Sequence, residues 1–132
     1  MATKLHGSKG GQFVTHVKAP PGNPCDGHTL AVVLPEMERQ IGATIKRVVA
    51  DRGYRGHNAP ERRKFRVFIS GQRRRVTEQI KRELRRRSAV EPVIGHLKAE
   101  RRMGRNFLAH TQGDAANAVL AAAGHNFRRL LA

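Results

Sequence analysis

The sequence predicts an α/β protein in which helices flank a small mixed sheet. Two observations lead there. Its hydrophobic periodicities run strand, helix, strand, strand, helix, helix, an order that layers helices against strands. Its 132 residues suffice for one modest core, with no internal repeat or low-complexity linker to mark a second domain, so residues 1–132 read as one unit.

The first strand is expected from Gln12 to Lys18, where Phe13, Thr15 and Val17 alternate with Val14, His16 and Lys18. A Gly-rich turn at Gly7–Gly11 precedes it, and Pro20-Pro21-Gly22 ends it. A helix is expected over His28 to Ile41, with Leu30, Val33, Leu34, Met37 and Ile41 at helical spacing, Gly42 as its stop and Pro35 as a bend or an alternative start. Thr44 to Ala50, β-branched or small apart from Lys46 and Arg47, reads as the second strand and ends at Asp51. Lys64 to Ser70 reads as the third. Arg75 to Met103 carries a long helical pattern, which Pro92 kinks or restarts. A last Ala-rich helix, Gln112 to Leu131, is expected to bury Ala116, Val119, Leu120, Ala123, Phe127 and Leu130 as a lid over the sheet. Three short strands leave two open edges.

Charge dominates the functional reading. The chain holds 26 Lys and Arg against 10 Asp and Glu, a net +16, which calls for a polyanionic partner bound in a salt-dependent way. Twelve of those basic residues fall between Arg73 and Arg105. The triplets Arg73-Arg74-Arg75 and Arg85-Arg86-Arg87 are the first candidates for phosphate contact, although solvated charge gives the same pattern. With one Tyr, five Phe and no Trp, the chain lacks the stacking platform of many single-strand binders, so duplex backbone fits better. No stretch approaches the roughly 20 apolar residues of a membrane span, no signal-peptide core is visible, and Cys25 stands alone. These features give a cytoplasmic expectation, with no membrane partner, disulfide or zinc site.

The residues with chemical potential are few. Asp51 closes a β-branched strand at the place where open α/β sheets hold ligands, yet it serves equally to open an Asx-turn before Gly53. Arg87, Glu91 and Lys98, four and seven residues apart, share one stripe on a continuous helix, where flanking cations favour an ionised, metal-binding carboxylate. Against that, Ser88-Ala-Val-Glu91 is a capping-box pattern. Asp26 and Asp114 read as helix caps, and His96 as a locally bonded helix residue.

The segments Asp26-Gly-His-Thr-Leu, Ala50-Asp-Arg-Gly-Tyr-Arg-Gly-His57, Leu84 to Lys98, Arg102-Met-Gly-Arg105 and Asn117 to Phe127 give the chain a specific resemblance. It resembles the C-terminal part of a bacterial insertion-sequence transposase of the DDE class. The resemblance implies a partial ribonuclease-H-like fold whose first core strands, first catalytic Asp and DNA-binding region lie upstream of Met1. It makes Asp51 the second catalytic Asp and Glu91 the catalytic Glu, both ligands of Mg²⁺. Arg87, Glu91 and Lys98 match the family's Tyr-Arg-Glu-Lys signature, with Leu84 where the family has Tyr. The implied reaction is metal-dependent cleavage at transposon ends followed by strand transfer, in the bacterial nucleoid. Asp51 and Glu91 alone are expected to be too few for catalysis. The implied partners are DNA, a full-length transposase and other copies of the chain. The competing expectation is a small basic DNA-binding protein without chemistry.

Overall fold

The computed structural model describes residues 1–6, 9, 11–22, 24–105 and 107–132. The turn expected at Gly7–Gly11 includes Gly7, Ser8 and Gly10, which lie outside the described residues, as does Asn23 in the loop before the first helix. In chain order the elements are β1 (Ala2–Thr3), β2 (Val14–His16), α1 (Leu30–Ile41), β3 (Arg47–Ala50), β4 (Arg66–Ile69), α2 (Glu78–Arg86), α3 (Val90–Ala99) and α4 (His110–Leu131). Short 3-10 turns lie at Asp26–His28, Arg52–Tyr54 and Arg87–Ala89. The protein is thus mixed α/β. Instead of one small mixed sheet, the described strands form two separate pairs: β1 with β2, antiparallel, and β3 with β4, parallel.

The chain divides into two compact units, one of Asn23–Arg87 and one of Met1–Gly22 with Ser88–Ala132. In the first, β3 and β4 run in register from Arg47 opposite Arg66 to Ala50 opposite Ile69. Leu30, Leu34, Ala50, Phe68 and Ile80 supply its buried apolar side chains. Helix α1 stops where Gly42 adopts φ 67°, a left-handed cap that glycine takes without strain. Pro35 lies within α1 and does not end it. Ile41 is exposed, so the apolar stripe expected on α1 is buried only in part.

Near the end of α1, Glu38 ties three segments together. Its Oε1 accepts from the Ile45 N–H at 2.8 Å, and both carboxylate oxygens accept from Arg62 Nη1, at 2.8 and 2.7 Å. The Arg62 bond first, and the Ile45 N–H second, hold the Glu38 carboxyl below its ordinary value. A carboxyl depressed by folding adds stability above its unfolded pKa, and that stability is lost as pH falls through the folded value. Glu38→Gln is therefore expected to cost about 1–2 kcal/mol at neutral pH, less than a buried charged bond because Arg62 is one-third exposed. Urea unfolding of both proteins should show the gap closing below about pH 4.

The long helical pattern begins and breaks where local geometry dictates. Arg75 takes φ 57°, so the helix expected from that residue starts only at Glu78, after the Thr77 hydroxyl accepts the Ile80 N–H at 3.3 Å. The break falls at Arg87–Ala89, and Pro92 sits as the third residue of α3, where its missing N–H is one that a helix start leaves unbonded anyway.

In the second unit, Val14, Val93, Leu97, Ala121 and Ala122 form the core, with Val17 and Met103 against it. The Asn126 side chain accepts from Val14 N–H at 2.9 Å and donates to Val14 C=O at 2.8 Å, replacing a neighbouring strand along β2. That pairing fixes the rotation of α4. Its buried residues are Gly113, Ala118, Ala121, Ala122 and His125, while Val119, Leu120, Phe127 and Leu130 are exposed, the reverse of the face expected from sequence. The reason is size: the smallest face of an Ala-rich helix lets its backbone come closest to β2 and α3. At the start of α4, Gly113 packs instead against the preceding segment, where a Cβ would lie 2.7 Å from the Leu108 carbonyl carbon.

Candidate nucleic-acid interface and carboxylate site

Asp51 leaves the C-terminal end of β3 and caps the turn Arg52–Tyr54, with Oδ1 accepting the Gly53 N–H at 3.0 Å. The Asx-turn reading is thereby realised. Oδ2 stands 3.7 Å from Arg87 Nη1, and the carboxylate remains about half exposed. Asp26 lies beside it: a Cβ on Gly53 would sit 3.2 Å from Asp51 Oδ1 and 3.3 Å from Asp26 Oδ2. Two carboxylates 25 residues apart in sequence thus flank one point, and glycine at position 53 leaves room for both.

Asn58 holds this arrangement, although no local motif in the sequence marks it. Its backbone N–H donates to Gly27 C=O at 2.9 Å, its amide donates to His28 C=O at 2.6 Å, and its side-chain oxygen accepts the Ala31 N–H at 3.1 Å. Asn58 thereby satisfies an open donor at the start of α1 while clamping the turn Asp26–His28 to the segment after Asp51. Gly27 is buried there, its Cβ position 3.4 Å from Arg55 C=O. The cap expected of Asp26 is not made by its carboxylate. Thr29 precedes α1, and Asp26 contributes its backbone C=O, which accepts from Thr29 Oγ1 at 2.7 Å. Tyr54 packs half-buried against this site. Burial, and then the Asp26 carboxylate, push its hydroxyl pKa up, while a hydrogen bond with Thr29 opposes the shift.

A second pair places Arg87. Glu83, 1% exposed, accepts from Arg47 Nη2 at 2.6 Å and fixes α2 against β3. Four residues on from each partner, just past the ends of α2 and β3, Arg87 meets Asp51 with the charges reversed.

Arg87 lies in the 3-10 turn, while Glu91 and Lys98 lie on α3, so the three do not share one continuous helix. Glu91 is exposed in the first turn of α3, where a negative charge suits the helix dipole. Lys98, also exposed, lines a hollow of about 590 Å³ with Arg102, Arg105 and Phe107. His96 bonds locally to Glu100 at 2.7 Å. Asp114 is the fifth residue of α4, past the cap position that Ala109 occupies.

Arg85 and Arg86 are exposed in the last turn of α2, and Arg73 and Arg74 are exposed in the loop before it. Lys81 and Arg82 extend the cationic face of α2, opposite the buried Ile80 and Glu83. Both stand outside the Arg triplets. Their spacing from Arg85 and Arg86, four residues in each case, was the available signal.

Among the described residues no three His, Cys, Asp or Glu side chains converge as a metal site. Asp26 and Asp51 offer the hard oxygen donors that a single Mg²⁺ takes, alongside water and phosphate, and fall short of a two-ion centre. No helix among the described residues is long and apolar enough to cross a membrane. Comparison with family models, curated proteins and solved structures found no match to this chain.

Proposed function

We propose that this chain is a portion of a DDE-class transposase catalytic domain, with a partial ribonuclease-H-like fold, and that its own activity is binding to DNA backbone. The observation that carries this reading is the place of Asp51: it ends a strand of a parallel pair, half exposed, with Asp26 and Arg87 against it. Cleavage of transposon ends and strand transfer belong to the full-length protein, whose catalytic carboxylates are Asp51, Glu91 and a further Asp. Asp51 and Asp26 would hold the Mg²⁺ ion, which supplies Lewis-acid polarisation of a phosphate oxygen when bound. Arg87 and the cations of α2 steady the phosphates beside that ion, and Lys98 contacts DNA backbone from its own unit. The setting is the bacterial nucleoid, and a full-length transposase is a partner through the open edge of the β3–β4 pair.

A second reading, a basic DNA-binding protein without chemistry, is favoured by the bond that ties Asp51 Oδ1 to Gly53 N–H. Fluorescence anisotropy on a labelled duplex, with Mg²⁺ or with EDTA, separates the two. The transposase reading expects the wild type to bind tighter with Mg²⁺. It expects Asp51→Asn to bind tighter than wild type in EDTA and to lose the Mg²⁺ dependence, because one negative charge beside phosphate has gone. Identical affinities in all four conditions would support the plain binder. End cleavage by the 132-residue chain alone would overturn the incomplete-site reading.

A further inference from the structure

The turn that follows α3 builds a cationic hollow, and we infer that it binds a single nucleotide, with phosphate on Lys98, Arg102 and Arg105 and the base on Phe107. These four side chains line the hollow of about 590 Å³ together with Ala99 and Gly104, a volume within the ordinary range of small-molecule sites. Its frame is fixed by backbone bonds. Glu100 N–H donates to His96 C=O at 2.9 Å, Met103 N–H to Leu97 C=O at 3.0 Å, and Arg105 N–H to Arg102 C=O at 2.9 Å. Leu97 is wholly buried and Met103 packs on the same core, so the turn is anchored from beneath. Leu108, packed against Gly113, anchors the segment that carries Phe107.

Three features select this ligand. Among the described residues, the side chains of Lys98, Arg102 and Arg105 have no hydrogen-bond or ion-pair partner, and no carboxylate lines the hollow. Glu100, the nearest in sequence, is bonded to His96 and Arg128. Arg102 adopts φ 55°, backbone that favours glycine, so the local fold calls for no side chain and the sequence supplies a cation there. Phe107 stays 78% exposed while Met103, four residues before it, goes to the core, and an aromatic face in open water is what an unpaired base covers. Bases stacked inside a duplex cannot reach such a face, which sets this hollow apart from backbone contact by α2. Cations near a helix C-terminus also suit its dipole, but that accounts for Lys98 in the last turn of α3 and not for Arg105 or Phe107. A free nucleoside diphosphate and the 5′-phosphorylated end of a DNA strand present the same chemistry, a base joined to phosphate through one sugar. Only the second source rests on the DNA-binding reading, and neither Asp51 nor a metal enters the site.

The test uses nucleic-acid-free protein in EDTA at about 0.15 M salt, which screens distant charge. By isothermal titration calorimetry, ADP should bind about five- to a hundredfold tighter than inorganic pyrophosphate, the gain that stacking of one base gives. Phe107→Leu should remove that difference and leave pyrophosphate binding unchanged. Arg102→Asn, which tolerates left-handed backbone, combined with Arg105→Gln should weaken both ligands about tenfold or more. Arg39→Gln with Arg63→Gln, an equal loss of charge at exposed positions elsewhere, should leave both within about twofold. Anisotropy on a blunt duplex and on the same duplex with a 5′-phosphorylated overhang separates the sources. A preference for the overhang that Phe107→Leu abolishes identifies a DNA end, and ADP binding without that preference identifies a free nucleotide. Absence of both preferences overturns the inference, as does survival of either in Phe107→Leu, or an equal loss in the two Arg pairs. The Mg²⁺ response of Asp51→Asn is read separately, so failure of one reading leaves the other standing.

Discussion

Replacing Lys81, Arg82, Arg85 and Arg86 together by Ala is expected to weaken duplex binding by ten- to a thousandfold at about 0.1 M salt, and to flatten its salt dependence. All four project from the outer face of α2, away from Ile80 and Glu83, so their removal leaves the packing of the helix intact. Each cation that neutralises a phosphate adds about 0.9 to the slope of log K against log salt, and losing four should lower its magnitude by about three to four. Ala is also the best helix former, which keeps a nine-residue helix from fraying on this account. The measurement is a titration of duplex at several salt concentrations. An unchanged slope would move the DNA contact elsewhere, with Lys98, Arg102 and Arg105 around their hollow as the next positions to replace.

Replacing Glu83 by Leu should be the most damaging single change to the fold, at about 2–4 kcal/mol by urea unfolding. Glu83 is almost wholly buried and Arg47 keeps about a third of its side chain exposed, so the loss falls below that of a fully enclosed pair. Removing the carboxylate strands the Arg47 guanidinium next to the apolar face of α2. The double change Arg47→Met with Glu83→Leu should recover most of the stability, because it removes both charges and keeps the volume. Consequences should reach the carboxylate site, since the Glu83–Arg47 bond sets α2 on β3 and, four residues on from each partner, Arg87 approaches Asp51. In Glu83→Leu, binding to DNA should therefore lose its response to Asp51→Asn even where the protein is still folded. A variant as stable as the wild type would mean that the pair is ornamental to the unit.

Where the controlling forces are local, the sequence was a sound guide. The run of Val48, Val49 and Ala50 into Asp51 marks the end of a strand because β-branched residues favour extended backbone, and a β-strand ends there. Gly42 marks the end of α1 because only glycine enters left-handed backbone without strain. The cationic character of the Arg73 to Arg105 stretch follows from composition alone.

Only tertiary packing decided the rest. Asp26 and Asp51 read as separate turn residues until Asn58 clamps one turn against the other, a contact between segments about 30 residues apart that no local periodicity carries. The buried face of α4 differs from the one periodicity predicts because apolar residues, Asn117 apart, surround that helix from Ala116 through Ala123, and periodicity then favours the largest ones. In the folded protein, close approach to β2 and α3 matters more than side-chain size, so Ala118, Ala121 and Ala122 go inside while Leu120 and Phe127 stay out. The sequence by itself determined the charge and the C-terminal ends of strand β3 and helix α1, because these depend on single residues and their immediate neighbours. The tertiary structure decided which carboxylates meet and which helix face is buried, because both are set by pairings between distant segments.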